Sequence, residues 1–409
     1  MKYGSNENQT VLISGASIAG PALAYWLHQH GFHPTIVERA PALREGGYKI
    51  DIRGVAVEVA DRMGIMDNIQ RASTDMREST FVNRANKPIA TLPADFMGGR
   101  IGRDDEIMRG DLAHILYERT RDTTEYIFGD SIASMEQRED GVQVNFANGS
   151  SRHFDLVIGA DGLHSRVREL TFGDESQFIR HLGGYISFCT VPNFLQLDRQ
   201  EIYYGMAKKS VCVYSTRKDA EAKCIFFFNS PLLQYDYRDS RAQKQILVDK
   251  FAADGWYTPR LLESVWAAPD FYFDAISLIQ MPHWSSERIA LLGDAAYCAS
   301  PASGQGTGLA LVGAYVLAGE LAEAAGDYRV AFTRYENIMR SFVAANQQFA
   351  ISGSKSMIPQ SQAQLWLMYT MLRTLSYMPW KGVIAKKFAE GVQQAANAIT
   401  LKDYQAVAV

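Results

Sequence analysis

Three short turns, far apart along a chain of 409 residues, carry the groups best suited to chemistry. The first is Gly15-Ala16-Ser17-Ile18-Ala19-Gly20, where small residues leave backbone N–H groups open to an anionic ligand. The second, Asp161-Gly162-Leu163-His164-Ser165-Arg166-Val167-Arg168, sets a carboxylate ahead of a basic helix start. The third begins Gly293-Asp294-Ala295-Ala296 and continues as Pro301-Ala302-Ser303-Gly304-Gln305-Gly306-Thr307-Gly308, joining a carboxylate to another glycine-rich bend.

Each turn needs rigid flanks. Thr10 to Ser14 is a short apolar run rich in β-formers, Pro21 to His30 is helix-like, and His33 to Val37 is a second strand ending at Glu38. Pro21 suits a first helical turn and Gly31 a left-handed helix stop. In this strand, turn and helix, the positive end of the helix dipole faces a pyrophosphate. Gly15 makes the bend, Gly20 lets helix and strand pack closely, and Glu38 is placed for the adenosine ribose hydroxyls. The pattern predicts a dinucleotide site formed by Gly15, Ser17, Ala19, Gly20, Glu38 and Arg39, with Ser17 standing where the fingerprint has its middle glycine. By itself it does not separate FAD from NAD. The strand Phe154 to Ala160 delivers Asp161, and Arg288 to Leu292 delivers Asp294.

Three such turns exceed what an NAD domain requires, and their order and spacing resemble the class A flavoprotein monooxygenases, the group containing the aromatic hydroxylases. The resemblance implies FAD as cofactor, NADPH or NADH as reductant, and transfer of oxygen to a bulky polycyclic or aromatic substrate. It implies cofactor contacts from Asp161, Gly293, Asp294, Pro301, Gly304, Gln305 and Gly306, with Asp294 on the ribityl chain and the helix near Gly306 directed at the flavin ring. Arg109-Gly110-Asp111-Leu112 is similar to a family segment whose arginine reaches the cofactor. Gly46-Gly47 and Asp51-Ile52-Arg53-Gly54 resemble a segment passing the flavin ring, making Asp51 and Arg53 candidates, with a loop ion pair as the alternative. The chain departs from the family at Gly308, Gly313-Ala314 and Tyr297, where many members carry Asn, a D-A pair and His. The cofactor carries the redox chemistry, so no catalytic residue and no metal is assigned.

Within this family, the run Phe271-Tyr272-Phe273-Asp274-Ala275, the segment from Gly304 to Tyr315 and the extra C-terminal helices are most similar to the tetracycline-inactivating branch. Hydroxylation of a tetracycline is the reaction this implies. A polyketide-tailoring or phenol hydroxylase and a non-catalytic flavin-binding protein are the alternatives.

The middle of the chain has another texture. Tyr185 to Val191, Glu201 to Tyr204, Val211 to Thr216 and Lys223 to Phe228 are β-rich runs that predict an antiparallel sheet. Alternation puts Phe226 and Phe228 on one face and Ile225 and Phe227 on the other; Phe226 and Phe228 are taken as the substrate face. From Tyr328 onward the chain reads as helices over 330–349, 361–376 and 382–399, with Pro359 and Pro379 as breaks. Trp366 and Tyr369 share a face of the middle helix and are further substrate candidates.

The expected fold is α/β. A Rossmann-like FAD-binding domain spans 1–80, 101–180 and 271–330; an interleaved antiparallel-sheet substrate domain spans 81–100 and 181–270; C-terminal helices over 331–409 bridge the two. With 41 basic and 45 acidic residues and no basic block, nucleic acid is not expected as a partner. The apolar stretch Leu365 to Trp380 is short and carries Arg373, so no membrane span is expected either. Cys189, Cys212, Cys224 and Cys298 form no C-x-x-C pair, which fits a reducing, cytoplasmic compartment. A small molecule is the expected partner, and a monomer is compatible with the sequence.

Overall fold

The computed structural model describes residues 9–44, 46–216, 220–375 and 381–404. Pro379, expected to part the last two helices, and Trp380, at the end of the apolar stretch, lie outside the described residues.

The first sheet has six strands in the order Ser285–Ser286, Ile289–Leu291, Leu156–Gly159, Thr10–Ser14, His33–Glu38 and Glu125–Phe128. All neighbours are parallel apart from the edge hairpin of the first two. A parallel sheet is covered on both faces, so its strands read as continuous apolar runs. Val11, Leu12 and Ile13 are fully buried, as are Val157 and Ile158. One cover is the helix Gly306–Glu323, whose residues from Thr307 to Leu321 are all buried. An apolar surface all round suits that position. It packs between the helices Ala19–Gln29, Val55–Arg62 and Tyr328–Met357.

This topology brings the three turns together. The strands Thr10–Ser14, Leu156–Gly159 and Ile289–Leu291 are adjacent and parallel, so Gly15, Asp161 and Gly293 emerge side by side at the carboxyl edge of the sheet. That edge is where open α/β sheets form their ligand crevice.

The second sheet has seven strands, in the order Tyr272–Ile279, Ile179–Pro192, Glu221–Asn229, Lys209–Ser215, Gln200–Met206, Glu78–Val82 and Pro88–Pro93. It is antiparallel except where Glu78–Val82 runs parallel to Gln200–Met206. The strand Pro88–Pro93 falls within the segment 81–100 read from sequence, whereas Glu78–Val82 starts ahead of it, Ile179–Pro192 starts ahead of 181–270, and Tyr272–Ile279 lies beyond 181–270. Glu78–Val82 and Tyr272–Ile279 join the sheet by long-range pairing with Gln200–Met206 and Ile179–Pro192, which no change of composition marks. The helices Ser240–Phe251 and Thr258–Ala267 cover its outer face and close a second core around Phe226, Phe228, Leu247, Phe251 and Leu261.

The C-terminal helices touch both halves. Tyr328–Met357 packs on Gly306–Glu323, while Gln362–Leu375 packs on the strands Pro88–Pro93 and Gln200–Met206. Lys381–Ala396 returns to Tyr328–Met357. No helix among the described residues is long and apolar enough to cross a membrane.

Two departures from the family pattern prove to be complementary. A Cβ at Gly313 would sit 2.1 Å from the Tyr297 hydroxyl and 2.9 Å from Leu292 Cδ1, so the tyrosine occupies space that only glycine leaves open. The Tyr297 oxygen accepts a hydrogen bond from Tyr335 at 2.9 Å. Helix propensity alone would favour Gly313→Ala by about 1 kcal/mol. We expect the overpacking to dominate and the substitution to cost about 1–3 kcal/mol, with Tyr297→Phe recovering part of it. Thermal denaturation of the two single variants and the double variant checks this. An unchanged Tm for Gly313→Ala would contradict the packing argument.

Candidate active site

A continuous cavity of about 1480 Å³ runs from the carboxyl edge of the first sheet to the inner face of the second. At its first end the glycine turn is set by close approach. Gly15 has φ +110°, and a Cβ there would lie 2.5 Å from the Ala160 carbonyl oxygen; a Cβ on Gly20 would lie 2.0 Å from the Gly15 carbonyl oxygen. Gly20 thus seats the helix Ala19–Gln29 behind the turn, while Gly15, Ser17 and Ala19 line the cavity. Glu38 and Arg39 line it as well. The Glu38 carboxylate accepts the N–H groups of Ala16 and Ala40, each at 2.9 Å, which pins it at the crevice edge.

Ser17, in place of a glycine, has a use. Its hydroxyl accepts a hydrogen bond from Arg109 at 2.8 Å, tying the turn to the start of the helix Arg109–Thr120. The loop Gly46-Gly47-Tyr48 is laced to the same helix start, through Gly110 N–H to Gly46 O at 2.9 Å and Arg109 N–H to Tyr48 O at 3.0 Å. Gly46 and Gly47, with φ +76° and +93°, adopt a conformation few other residues tolerate.

The second turn is a structural knot as well as a lining. Asp161 accepts the Ser165 hydroxyl and, at 3.1 Å, the Val167 N–H. Burial raises the pKa of its carboxyl, and those hydrogen bonds oppose the rise. Arg168 is fully buried and donates to Ala295 O at 2.9 Å and Leu163 O at 2.6 Å, and it also pairs with Glu175. One guanidinium therefore joins the second turn to the third.

In the third turn Gly293 does not line the cavity; its φ of +64° lets the chain bend so that Asp294 does. Asp294 is exposed and lines the cavity. Desolvation raises its pKa, partly countered by Cys298 and Arg109. Pro301, Gly304 and Gly306 also line the cavity, Gly306 at the N-terminus of the long buried helix. Gln305 lies behind the lining, 2% exposed, and its Nε2 has no hydrogen-bond partner among the described residues. Asp51 and Arg53 both line the cavity as a close pair, with Asp51 Oδ2 2.6 Å from Arg53 Nη2. This is an enclosed ion pair rather than the solvated loop pair of the alternative reading, since Arg53 is only 6% exposed.

At the other end, the lining comes from cross-strand pairs on one face of the second sheet: Ile186 with Phe227, Phe188 with Ile225, and Thr190 with Lys223. The substrate face expected from sequence is therefore the wrong one. Phe226 and Phe228 point the other way into the second core, with ring centroids 5.1 and 6.1 Å from Phe251. Trp366 and Tyr369 also lie outside the cavity lining. Trp366 is 68% exposed, and Tyr369 packs behind the wall, its hydroxyl accepting the Gly205 N–H at 2.9 Å. Tyr315, part of the run used for the resemblance, is buried against Trp26 and Tyr404.

A set of buried charges, not singled out in the sequence, completes the wall. Lys49 Nζ lies 3.1 Å from Glu106 and 2.7 Å from Glu201, and Arg100 reaches Glu106 at 2.8 Å and Asp51 at 3.1 Å. Burial works against the Lys49 ammonium, but Glu201 and Glu106 outweigh it and hold its pKa above the ordinary value. Sequence spacing had no signal for this set, because the two-stranded ladder of Lys49–Ile52 with Asp105–Met108 and the sheet strand carrying Glu201 assemble it.

A parallel sheet with its ligand crevice opening into a chamber under a second sheet has room for a dinucleotide cofactor at its edge and a second molecule beside it. The residues present fit FAD: bare glycine backbone, a carboxylate at the end of the second strand, and Asp294 lining the cavity with no charged partner at hydrogen-bonding distance among the described residues. The model of the FAD binding domain family matches residues 8–350, and the chain belongs to the flavin-dependent monooxygenases of that family. A flavin-dependent monooxygenase of Legionella longbeachae is 42% identical over 87% of this chain and 92% of its own length. Among solved structures, tetracycline destructase Tet(51) superposes with a TM-score of 0.85 at 35% identity, covering 97% of this chain and all of that one. Tetracycline destructase Tet(55) gives 0.84 at 39% identity, covering 97% and 99%.

Proposed function

We propose that the protein uses NADPH or NADH and oxygen to hydroxylate a tetracycline or a similarly flat, fused-ring molecule. The observation that carries this reading is the unbroken cavity, which places an aromatic and aliphatic sheet face opposite the flavin crevice in one space. The likeness to two tetracycline destructases supports the choice of substrate.

Bound FAD would supply electron transfer and oxygen activation. The chain's own residues then bind, orient and exclude water. The first turn offers backbone N–H groups to the pyrophosphate, Glu38 the ribose contact and Asp294 the ribityl contact. Ile186, Phe188, Ile225 and Phe227 give a dry wall for fused rings, and Lys49, Arg100, Glu106 and Glu201 give that wall a polar margin that sets orientation.

The test is incubation of the flavin-loaded protein with tetracycline, NADPH and air, with NADH in parallel. The expected result is loss of the drug's long-wavelength absorbance and a mass gain of one oxygen atom. Absence of substrate-stimulated NADPH or NADH oxidation with any tetracycline would reject the substrate and turn attention to smaller phenols.

A further inference from the structure

Beside the flavin crevice, His164, Asp274 and Tyr272 form a chain of contacts from the second turn into the cavity. His164 Nδ1 lies 2.7 Å from Glu175 Oε1, and Nε2 lies 3.1 Å from Asp274 Oδ2. Asp274 is 5% exposed; its Oδ1 accepts the Ala275 N–H at 2.8 Å, and its Oδ2 also accepts the Tyr272 hydroxyl at 3.0 Å. The Tyr272 ring lines the cavity and stacks on Phe188 with centroids 4.7 Å apart and planes at 22°. Phe188 in turn meets the edge of Tyr48 at 4.7 Å.

We propose that Tyr272 is the residue that accepts a hydrogen bond from the substrate's phenolic or enolic hydroxyl, and that His164 and Asp274 are positioning residues that fix it as an acceptor. The inference rests on the reading of the cavity as a chamber for flat, hydroxylated rings, and it names the contact that selects them.

The direction of each hydrogen bond follows from the partners. Both ring nitrogens of His164 face carboxylates, so the ring carries two protons and donates both. Burial alone would lower its pKa, but Asp274 and Glu175 hold it up to about 9. The Asp274 Oδ2 that receives the His164 proton also receives the single Tyr272 proton, which is thereby committed. Only lone pairs of the phenol oxygen remain for the cavity. Donation to a carboxylate also makes that oxygen a better acceptor. A substrate hydroxyl is matched, whereas an ether or a second acceptor at the same place is rejected, because its lone pairs would meet those of the tyrosine.

The alternative is that His164 merely ties the second turn to the edge strand Tyr272–Ile279. A pair of probes separates the two. The flavin-loaded protein, without reductant, is titrated with α-naphthol and with its methyl ether, and Kd is read from the change in flavin absorbance. The wild type should prefer the naphthol. Tyr272→Phe should lower that preference about tenfold, by weakening the naphthol and leaving the ether bound no more weakly than before, with flavin content unchanged. His164→Gln, which removes the ring that holds the Asp274 carboxylate against Tyr272, should lower it by a smaller factor. A purely structural role would weaken both probes together or neither. A wild type without the preference, or a Tyr272→Phe protein that keeps it, overturns the proposal. Tetracycline is titrated in parallel: if it fails to bind while the naphthol preference is lost in Tyr272→Phe, the substrate reading falls and the acceptor role of Tyr272 stands.

Discussion

Asp294→Ala should give a folded protein that purifies without its flavin. The carboxylate sits at the start of the short helix Asp294–Tyr297 and opens into the cavity, with desolvation raising its pKa. A carboxyl whose folded pKa lies above its unfolded value costs stability at neutral pH, so the cofactor-free protein should be at least as stable after the substitution. The benefit of the residue lies in what it binds. Ribityl hydroxyls would satisfy the carboxylate, and losing such a charge-assisted contact should cost about 1.5–3 kcal/mol, or roughly 10- to 150-fold in Kd for FAD. Asp294→Asn keeps one acceptor oxygen and should fall between. Flavin-to-protein absorbance ratios after gel filtration, with Tm of the apo forms, check both halves. A fully loaded Asp294→Ala protein would remove Asp294 from the cofactor site.

The turns were legible in the sequence because their geometry is local. Gly15 and Gly20 are read as a tight bend and a close packing contact from their own neighbours, and the structure needs no Cβ at either place. The helix beginning at Gly306 and the strands leading to Asp161 and Asp294 are likewise set by short runs of residues. The convergence of the three turns is not local. It depends on Leu156–Gly159 pairing between Thr10–Ser14 and Ile289–Leu291, and the family pattern rather than any periodicity supplied that expectation.

Where two faces are both apolar, alternation fixes the period and not the phase. The strand Glu221–Asn229 carries aromatic residues at 226, 227 and 228, so either face suits a core. Phe251 and the helices over the outer face claim Phe226 and Phe228, and that leaves Ile225 and Phe227 for the cavity. The helix Gln362–Leu375 shows the same limit. Leu365 and Leu372 turn toward the sheet and Trp366 turns to solvent, although an aromatic stripe suggested otherwise. The cavity's ion pairs were hidden for a third reason. Lys49, Arg100, Glu106 and Glu201 are ordinary charges in sequence, and only pairing across the ladder and the sheet makes them neighbours in a buried wall.

That wall supports the largest stability effect we expect. Lys49→Met retains the unbranched stem and removes the ammonium between Glu106 and Glu201, which are 5% and 1% exposed. Arg100 still reaches Glu106 at 2.8 Å, but among the described residues Glu201 is left with the Ser79 hydroxyl. An uncompensated buried carboxylate costs about 3–5 kcal/mol. Urea denaturation at neutral pH should show a loss of that size, and Glu201→Gln in the Lys49→Met background should return much of it. The pH dependence has a definite sign. Burial works to raise the Glu106 pKa, and Lys49 with Arg100 more than offset it, so that it lies below the ordinary 4.5. Its pairing therefore stabilises the wild type above that value and is lost as the pH falls through the depressed one. In Lys49→Met Glu106 loses one of the two cations that hold its pKa down and takes up its proton earlier, so the stability gap to the wild type should narrow on acidification from neutral pH. A variant within about 1 kcal/mol of the wild type at neutral pH, well short of the cost of a buried unpaired charge, would mean that solvent in the cavity already screens this set.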